Sequence, residues 1–536
     1  MQTKKQYMMN ALLLTAVAFL MRTVSVGFNI YISGLVGAET MGLLSLISGV
    51  YGFATTLATS GIHLATVRII SERLQKTGGS ECKRCLTACL CYAAFFGTLA
   101  TLLLAALARP IGLFVLKDPR TVRALLLLSA TLLPIALSSV LNGYFTAVRR
   151  AFKNAISQVM EQFVKIALTT YLLIVIAPKT VEGSVIAVLM GGAVAESASL
   201  CLNLLLYLFD KRHFKNVSQR KYGTPLRVVS VAMPVAISAY IRSGLLTLEH
   251  VLIPIGLKSY GIDYAAALSS YGALHSMALP VVLYPAALLS SFAALLIPEI
   301  TEQESAGNRR EIRYIAGRVY QMTLLFAVGA SAIMLFLSGE LGQVLYENKE
   351  VSYFIKWLAP LVPIMYMDTA TDAMLKGLGQ QVYSMNVNII DALISVLSVW
   401  ILVPRMGIMG YLVTIYITEI LNATCSVCRL LKISGYVPSP TKLLLRPIIS
   451  AIGATCISNL LLIVGKQSDA PCPLSLTMHI LLVCVFYMTL LATTNAFGQA
   501  EWRWLHSLFL NQESASRKSC THHLFFKKKP KTTSKQ

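Results

Sequence analysis

A chain of 536 residues that is 56% hydrophobic and only 13% charged is too apolar for an ordinary soluble enzyme and reads as a polytopic membrane protein. Its net charge of +22, from 46 basic against 24 acidic residues, raises nucleic acid as a partner, but the basic residues fall in alternate loops rather than on one patch, so topology explains the excess and no nucleic-acid role is expected.

Apolar runs of about 20 residues, each long enough to span a bilayer, lie near 8–32, 41–66, 85–108, 124–147, 155–177, 185–209, 228–256, 269–298, 314–338, 355–379, 383–403, 407–430, 444–465 and 473–496. The first carries Arg22 near its middle and lacks a clear small-residue cleavage site, so it reads as an uncleaved helix rather than a signal peptide. The glycines of SGLVGAETMGL at 33–43 give it a flexible outer exit. One set of loops, together with both ends of the chain, holds Lys4, Lys5, Arg68, Arg73, Arg149, Arg150, Lys153, Arg309, Arg310, Arg313, Arg429 and Lys432; the opposite set is much poorer, with Arg109, Lys117, Arg120, Lys258 and Arg405 among its few. The positive-inside rule then puts both termini in the cytoplasm of a cytoplasmic-membrane protein.

Spans 1 to 6, residues 1–210, form one expected lobe; the basic string KRHFKNVSQRKYGTP at 211–225 is a linker; spans 7 to 12, residues 226–435, form a second lobe. An even number of spans per copy gives a parallel repeat, related by an axis along the membrane normal. Spans 13 and 14, within 440–497, carry almost no charge and look appended, and 498–536 is a basic cytoplasmic tail with a possible affinity for anionic lipid. The expected fold is therefore all-α, about 14 transmembrane helices with two six-helix lobes around a V-shaped cavity.

The repeat rests on duplicated charges. Arg22 recurs as Arg242, Glu161 as Asp391 and Glu196 as Glu419, at separations of 220, 230 and 223 residues. GYFTAVRRAFKNAISQVME around span 5 resembles MLKGLGQQVYSMNVNIID around span 11. A charge at a helix centre costs roughly 2.5 to 3.5 kcal/mol and usually faces a bundle interior or a watery cavity. At 1.5 Å per residue, Arg22 and Arg242 lie roughly 20 Å inside their spans, near mid-membrane, whereas Glu161 and Asp391 lie about 10 Å from the cytoplasmic end. Two guanidinium groups at that depth suit a phosphate ligand. Arg22 is followed seven residues later by Asn29, and Arg242 by Glu249, two turns on and so on about the same face. Arg22, Asn29, Arg242, Glu249 and His275 are the substrate-binding candidates.

The coupling or gating candidates are Glu161, Glu196, Asp368, Asp372, Lys376, Asp391 and Glu419. Asp372 with Lys376 and Glu161 with Lys165 have the acidic-first i,i+4 spacing of local neutralisation, so each pair reads equally as a fastener between packed helices. Asp368 lacks so obvious a partner. Glu196 and Glu419 read either as interhelical hydrogen-bonding groups or as proton or cation sites, and His63 and His275 more simply as hydrogen-bonded packing. Prolines 234, 254, 280, 285, 298, 360 and 363 mark spans 7, 8 and 10 as broken, cavity-lining helices. The CxxC pairs Cys82 with Cys85 and Cys425 with Cys428 lack further zinc-spaced ligands and read as ordinary interfacial thiols. No metal site, cofactor or catalytic constellation is expected.

Three strings, SGLVGAETMGLLSLISGVYGFATTLATSGIHLATVRIISE at 33–72, LSSVLNGYFTAVRRAFKNAISQVMEQ at 137–162 and TLEHVLIPIGLKSYGIDYAAALSSYGALHSMALPVVLYPAALLSSFAALLIPEITE at 247–302, resemble the stage V sporulation protein B group. This is a branch of the multidrug/oligosaccharidyl-lipid/polysaccharide exporter superfamily that also includes the lipid II flippases, and the resemblance covers most of residues 8–432. It implies alternating access that moves a lipid-linked saccharide, an undecaprenyl-linked peptidoglycan precursor, between leaflets, with membrane lipids and cell-wall synthesis proteins as partners. It also implies that Arg22 occupies the place of the first-helix arginine that binds the anionic headgroup. The second-helix acid and eighth-helix arginine of the flippases have no counterpart here, where span 8 offers His275, so the sugar stays open. The competing reading is a multidrug antiporter driven by H+ or Na+ bound at Glu161, Asp368, Asp391 or Glu419; two central arginines repel an organic cation and count against it. A membrane scaffold for cell-wall synthesis is a third reading, one that leaves the duplicated charges without a purpose.

Overall fold

The computed structural model describes residues 4–77, 82–176, 180–211, 224–439, 441–465, 473–494 and 496–497. The linker expected at 211–225, but for its end residues, and the tail at 498–536 lie outside the described residues. Helices account for almost every described residue, and no strand occurs among them.

In chain order the helices are α1 (Lys4–Thr59), α2 (Ile62–Thr77), α3 (Cys82–Pro110), α4 (Arg120–Ser129), α5 (Leu132–Ala147), α6 (Ala151–Tyr171), α7 (Val181–Lys211), α8 (Thr224–Ser259), α9 (Tyr264–Gly272), α10 (Leu279–Leu283), α11 (Ala286–Ser305), α12 (Arg309–Phe336), α13 (Ser338–Tyr346), α14 (Lys349–Leu358), α15 (Val362–Gly377), α16 (Gln381–Met406), α17 (Ile408–Ser434), α18 (Arg446–Gly465) and α19 (Pro473–Thr493). Where helices start at Asp263, Asn308 and Asn348, the side-chain oxygen accepts from a backbone N–H of the first turn. Between α9 and α10 the chain makes a π-helical turn, Ala273–Ala278, and Pro285 breaks the path into α11.

Eleven helical stretches are long and apolar enough to cross a membrane, or 12 if the pair α4 and α5, bent by 41°, makes one span. The fourteen expected from the sequence are not reached by that measure, for a physical reason. Spans 1 and 2 are not separated by a loop: they meet at Gly37, whose φ of 78° only glycine adopts freely, and Val17–Leu74 counts as one stretch. Span 10 is divided into α14, a 3₁₀ turn at Ala359–Leu361 and α15, each short on its own.

α6 packs on α7, α3 on α5 and α2 on α5 in the first half; α16 packs on both α17 and α8, and α11 on α15, in the second. α6 with α7 and α16 with α17 are the same pair at the two positions of the repeat. α18 and α19 pair with each other and lean on α12.

The halves meet along a seam between the second part of α1 and α8, α9 and the π turn. A Cβ on Gly272 would fall 2.9 Å from Gly42 Cα, so backbones touch there, the small-residue contact that membrane helices use for close approach. Hydroxyls continue the seam: Ser45 bonds Ser276, Thr247 Oγ1 donates to Gly49 O at 2.8 Å, Thr56 Oγ1 donates to Ser243 Oγ at 3.1 Å, and Ser60 bonds Tyr240. Beyond Gly42, Tyr264 Oη donates to Leu116 O at 3.1 Å and Arg120 bridges Asp118 at 2.7 Å and Glu39 at 2.9 Å. At the other end Arg227 pairs with Glu72.

Candidate functional site

In the first half a polar cavity of about 360 Å³ lies among α1, α4, α6 and α7, and Asn29, Tyr51, Glu161, Lys165 and Glu196 line it. Glu161 bonds Ser199 and shares the field of Lys165 with Glu196. Tyr51 Oη sits 2.5 Å from Thr131 Oγ1, and Asn29 Oδ1 is buried without a hydrogen-bond partner among the described residues. The sequence grouped Asn29 with Arg22, whereas the structure brings it to the two glutamates. Two carboxylates thus face one ammonium in this pocket.

The matching cluster in the second half is more acidic. Asp368, Asp391 and Glu419, from α15, α16 and α17, lie within electrostatic reach of one another, and Glu249 of α8 reaches Asp391 while bonding Ser395. Asp368, which lacks a partner as obvious as Lys376 in the sequence, finds one on α17: Asn422 Nδ2 donates to its Oδ2 at 3.1 Å, and Ser426 lies near it. Yet Asp368 Oδ1 and Asp391 Oδ1 remain buried with no hydrogen-bond partner among the described residues. Asp372 is drawn off by Lys376, Nζ 2.5 Å from Oδ2, and by Ser384, the local neutralisation that i,i+4 spacing predicts. Arg242 is the other cation acting on this cluster, through Asp391. Arg242 and Glu249 thus both address α16, as their shared helix face requires.

Arg22 and Arg242 are themselves exposed, and no ion pair engages either among the described residues. Arg22 adjoins Thr23, whose Oγ1 lies 2.9 Å from Tyr284 Oη, with Phe19 tilted against the same ring at 6.1 Å. Tyr284 is also the rim of an apolar groove of about 500 Å³ lined by Val281, Phe326, Ile333, Ile480 and Tyr487 from the π-to-α11 path, α12 and α19.

His275 is not among the residues that line the polar cavity or the apolar groove described above. It stands in the π turn, its ring 4.7 Å from His250 and stacked on Tyr271 at 5.3 Å. His63 Nδ1 meets Ser139 O at 3.3 Å, the packing role the sequence favoured. Cys82, Cys85, Cys425 and Cys428 form no disulfide among the described residues, and no group of three metal-ligating side chains gathers among them.

Sequence reasoning missed His250, Asn422, Ser395 and the groove. Asn422 and Ser426 follow Glu419 at i+3 and i+7, and Ser395 follows Asp391 at i+4, so helical periodicity carried that signal; His250 was hidden only by its neighbour Glu249.

A profile described as polysaccharide biosynthesis protein matches residues 8–302. Stage V sporulation protein B of Bacillus subtilis (strain 168) is 26% identical over 415 residues, covering 76% of this chain and 80% of that one. Lipid II flippase MurJ of the same strain is 23% identical over 404 residues, covering 69% and 72%. Among solved structures, a lipid II flippase MurJ in an inward closed conformation superposes with a TM-score of 0.64 at 14% identity, over 89% of this chain and 98% of that chain, a likeness of fold.

Proposed function

The chain belongs to the polysaccharide biosynthesis protein family, and from that premise we propose that it is a flippase moving a lipid-linked saccharide across the bacterial cytoplasmic membrane, its cargo an undecaprenyl-linked peptidoglycan precursor. The observation that carries this reading is the junction at Tyr284. An apolar groove includes Tyr284, whose hydroxyl lies 2.9 Å from Thr23 Oγ1 on the helix that also carries the exposed Arg22, and in this reading the groove takes part of the polyprenyl tail while Arg22 takes the diphosphate of the same lipid. Arg242 supplies the second cation from the other half. The sugar, which is neutral to anionic and water-soluble, then occupies the space between the halves while the tail stays in hydrocarbon.

The acidic clusters serve coupling in this reading. Asp368, Asp391 and Glu419, with Glu249 beside them, and Glu161 with Glu196 in the first half, are too many carboxylates in a membrane to remain charged together, and each cluster takes up H+ or Na+ in one state of the cycle and gives it up in the other. With the termini in the cytoplasm, the Gly42–Gly272 contact closes the outer face, and rocking the halves about the seam exchanges access. The likeness to a lipid II flippase supports this cargo, and two exposed guanidinium groups disfavour the organic cations of a multidrug antiporter.

Ile333→Trp tests the groove, because an indole there occupies space a polyprenyl chain needs while remaining apolar toward lipid. Outer-leaflet exposure of labelled lipid II by this variant in proteoliposomes is expected to fall about tenfold at unchanged thermal stability, the loss of a few buried methylenes at about 0.8 kcal/mol each. Wild-type rates from a folded Ile333→Trp protein would remove the groove from the path.

A further inference from the structure

His250 and His275 sit where the two halves are pressed together, and neither the cargo path nor the acidic clusters use them. His250 of α8 abuts α1 so closely that a Cβ on Gly49 would come 2.9 Å from its own Cβ. Its Nδ1 is 2.7 Å from Tyr271 Oη, and its ring meets that of His275 edge to face at 4.7 Å. His275 stacks on Tyr271, the ring planes 14° apart, and its Nδ1 is buried with no hydrogen-bond partner among the described residues. The next residue, Ser276, bonds both Ser45 and Met41 O across the seam. The turn holding His275 is π-helical, a form frequent at functional sites.

The ionisable surroundings are few. Glu249 lies beside His250 on α8 but bonds Ser395; Tyr271 and Tyr411 are within its field. On α1 the facing groups are Gly49 and Ser45, and Tyr51 is turned away to Thr131. The Lys349 and Lys356 side chains of α14, which packs on the π turn, are exposed, and Glu350 is only partly covered. Among the described residues no carboxylate is hydrogen-bonded to either imidazole, so the seam offers neither ring a counter-charge in direct contact.

We infer that the His250–Tyr271–His275 stack is a proton-binding site that keeps the seam closed while both rings are neutral and releases it when a ring is protonated, making H+ a ligand of the conformational cycle itself. A proton taken up at the open Nδ1 of His275, or at Nδ1 of His250 in place of its bond with Tyr271, creates a cation against a second imidazole in a contact that is only partly exposed, and two protonated rings at this separation repel strongly. Separation of α1 from α8 and the π turn hydrates the charge. No electrons move and no covalent bond forms beyond the N–H.

Linkage fixes the size of the effect: for each proton taken up on opening, the open-to-closed ratio rises tenfold per unit fall in pH. Hydrogen exchange by mass spectrometry on the full chain in lipid nanodiscs without cargo, between pH 5.5 and 7.5 and corrected for the intrinsic exchange rate, reads this in peptides covering 243–256 and 268–280. The wild type is expected to gain about tenfold in opening per pH unit, and His250→Gln with His275→Gln to flatten the profile. Tyr271→Phe keeps both rings, so it decides the matter if the glutamine variants do not fold: freeing His250 Nδ1 should retain the slope and move its midpoint to higher pH. A pH-independent wild type, a slope retained in the folded double variant, or a Tyr271→Phe profile superposable on wild type would overturn the site. Because no lipid-linked saccharide is present, none of these results depends on the flippase reading.

Discussion

Replacing Arg22 and Arg242 together by alanine is expected to reduce lipid II exposure at the outer leaflet by at least about a hundredfold. Hydrogen bonds to a charged group contribute about 1.5 to 3 kcal/mol each, so loss of one such bond from each guanidinium removes about 3 kcal/mol or more from the bound diphosphate, which is two decades or more in affinity. Each single alanine variant should lose about tenfold, and Arg22→Lys should recover part of it, because a lysine keeps the charge but not the planar fork. The fold should survive, since both side chains are exposed and neither is engaged in an ion pair among the described residues. Normal exposure by the double variant would place the headgroup elsewhere, with the acidic clusters and the seam untouched by that result.

Gly272→Leu is expected to hold the seam open. The neighbours a side chain would meet there are backbone atoms of α1, Gly42 Cα at 2.9 Å from a Cβ among them, and backbone cannot swing aside as a flexible side chain does. Overpacking of this kind costs about 1 to 3 kcal/mol, borne only by the closed state, and a cost of about 2 kcal/mol lowers the closed-to-open ratio about thirtyfold. A disulfide formed between Ser45→Cys and Ser276→Cys, whose hydroxyls touch across the seam, measures that population directly. Cross-linking should be rapid in the glycine protein and at least about tenfold slower beside Gly272→Leu; equal rates would mean that the Gly42–Gly272 contact does not govern closure. Exchange of access requires both states, so Gly272→Leu should also stop transport at wild-type expression.

The duplicated charges were the legible part of this molecule. Glu161 and Glu196 share a cavity, and Asp391 and Glu419 share a cluster, because residues matched in a repeat land on equivalent helices whose pairing, α6 with α7 and α16 with α17, is itself repeated. Asp372 with Lys376 was legible from i,i+4 spacing alone. Distance along the chain hid the rest. Asn422 reaches Asp368 from α17, 54 positions away, and the groove beside Tyr284 exists only because α19, appended some 200 residues later in the sequence, leans on α12. The break at Gly37 was visible as a glycine-rich stretch, but whether a chain turns there through a loop or a single left-handed residue depends on what packs against it, here α9. The histidine pair was obscure for a like reason: His250 and His275 are nearly seven turns apart in sequence and meet only because α8 and the π turn fold back on each other.

Central to all of this is that the protein carries a lipid-linked saccharide between leaflets, and the most direct measurement is the time course of outer-leaflet exposure of labelled lipid II in proteoliposomes holding the purified wild-type chain. Exposure should run well ahead of protein-free vesicles and fall to their rate with Arg22→Ala and Arg242→Ala combined. Wild-type vesicles no faster than empty ones would contradict it.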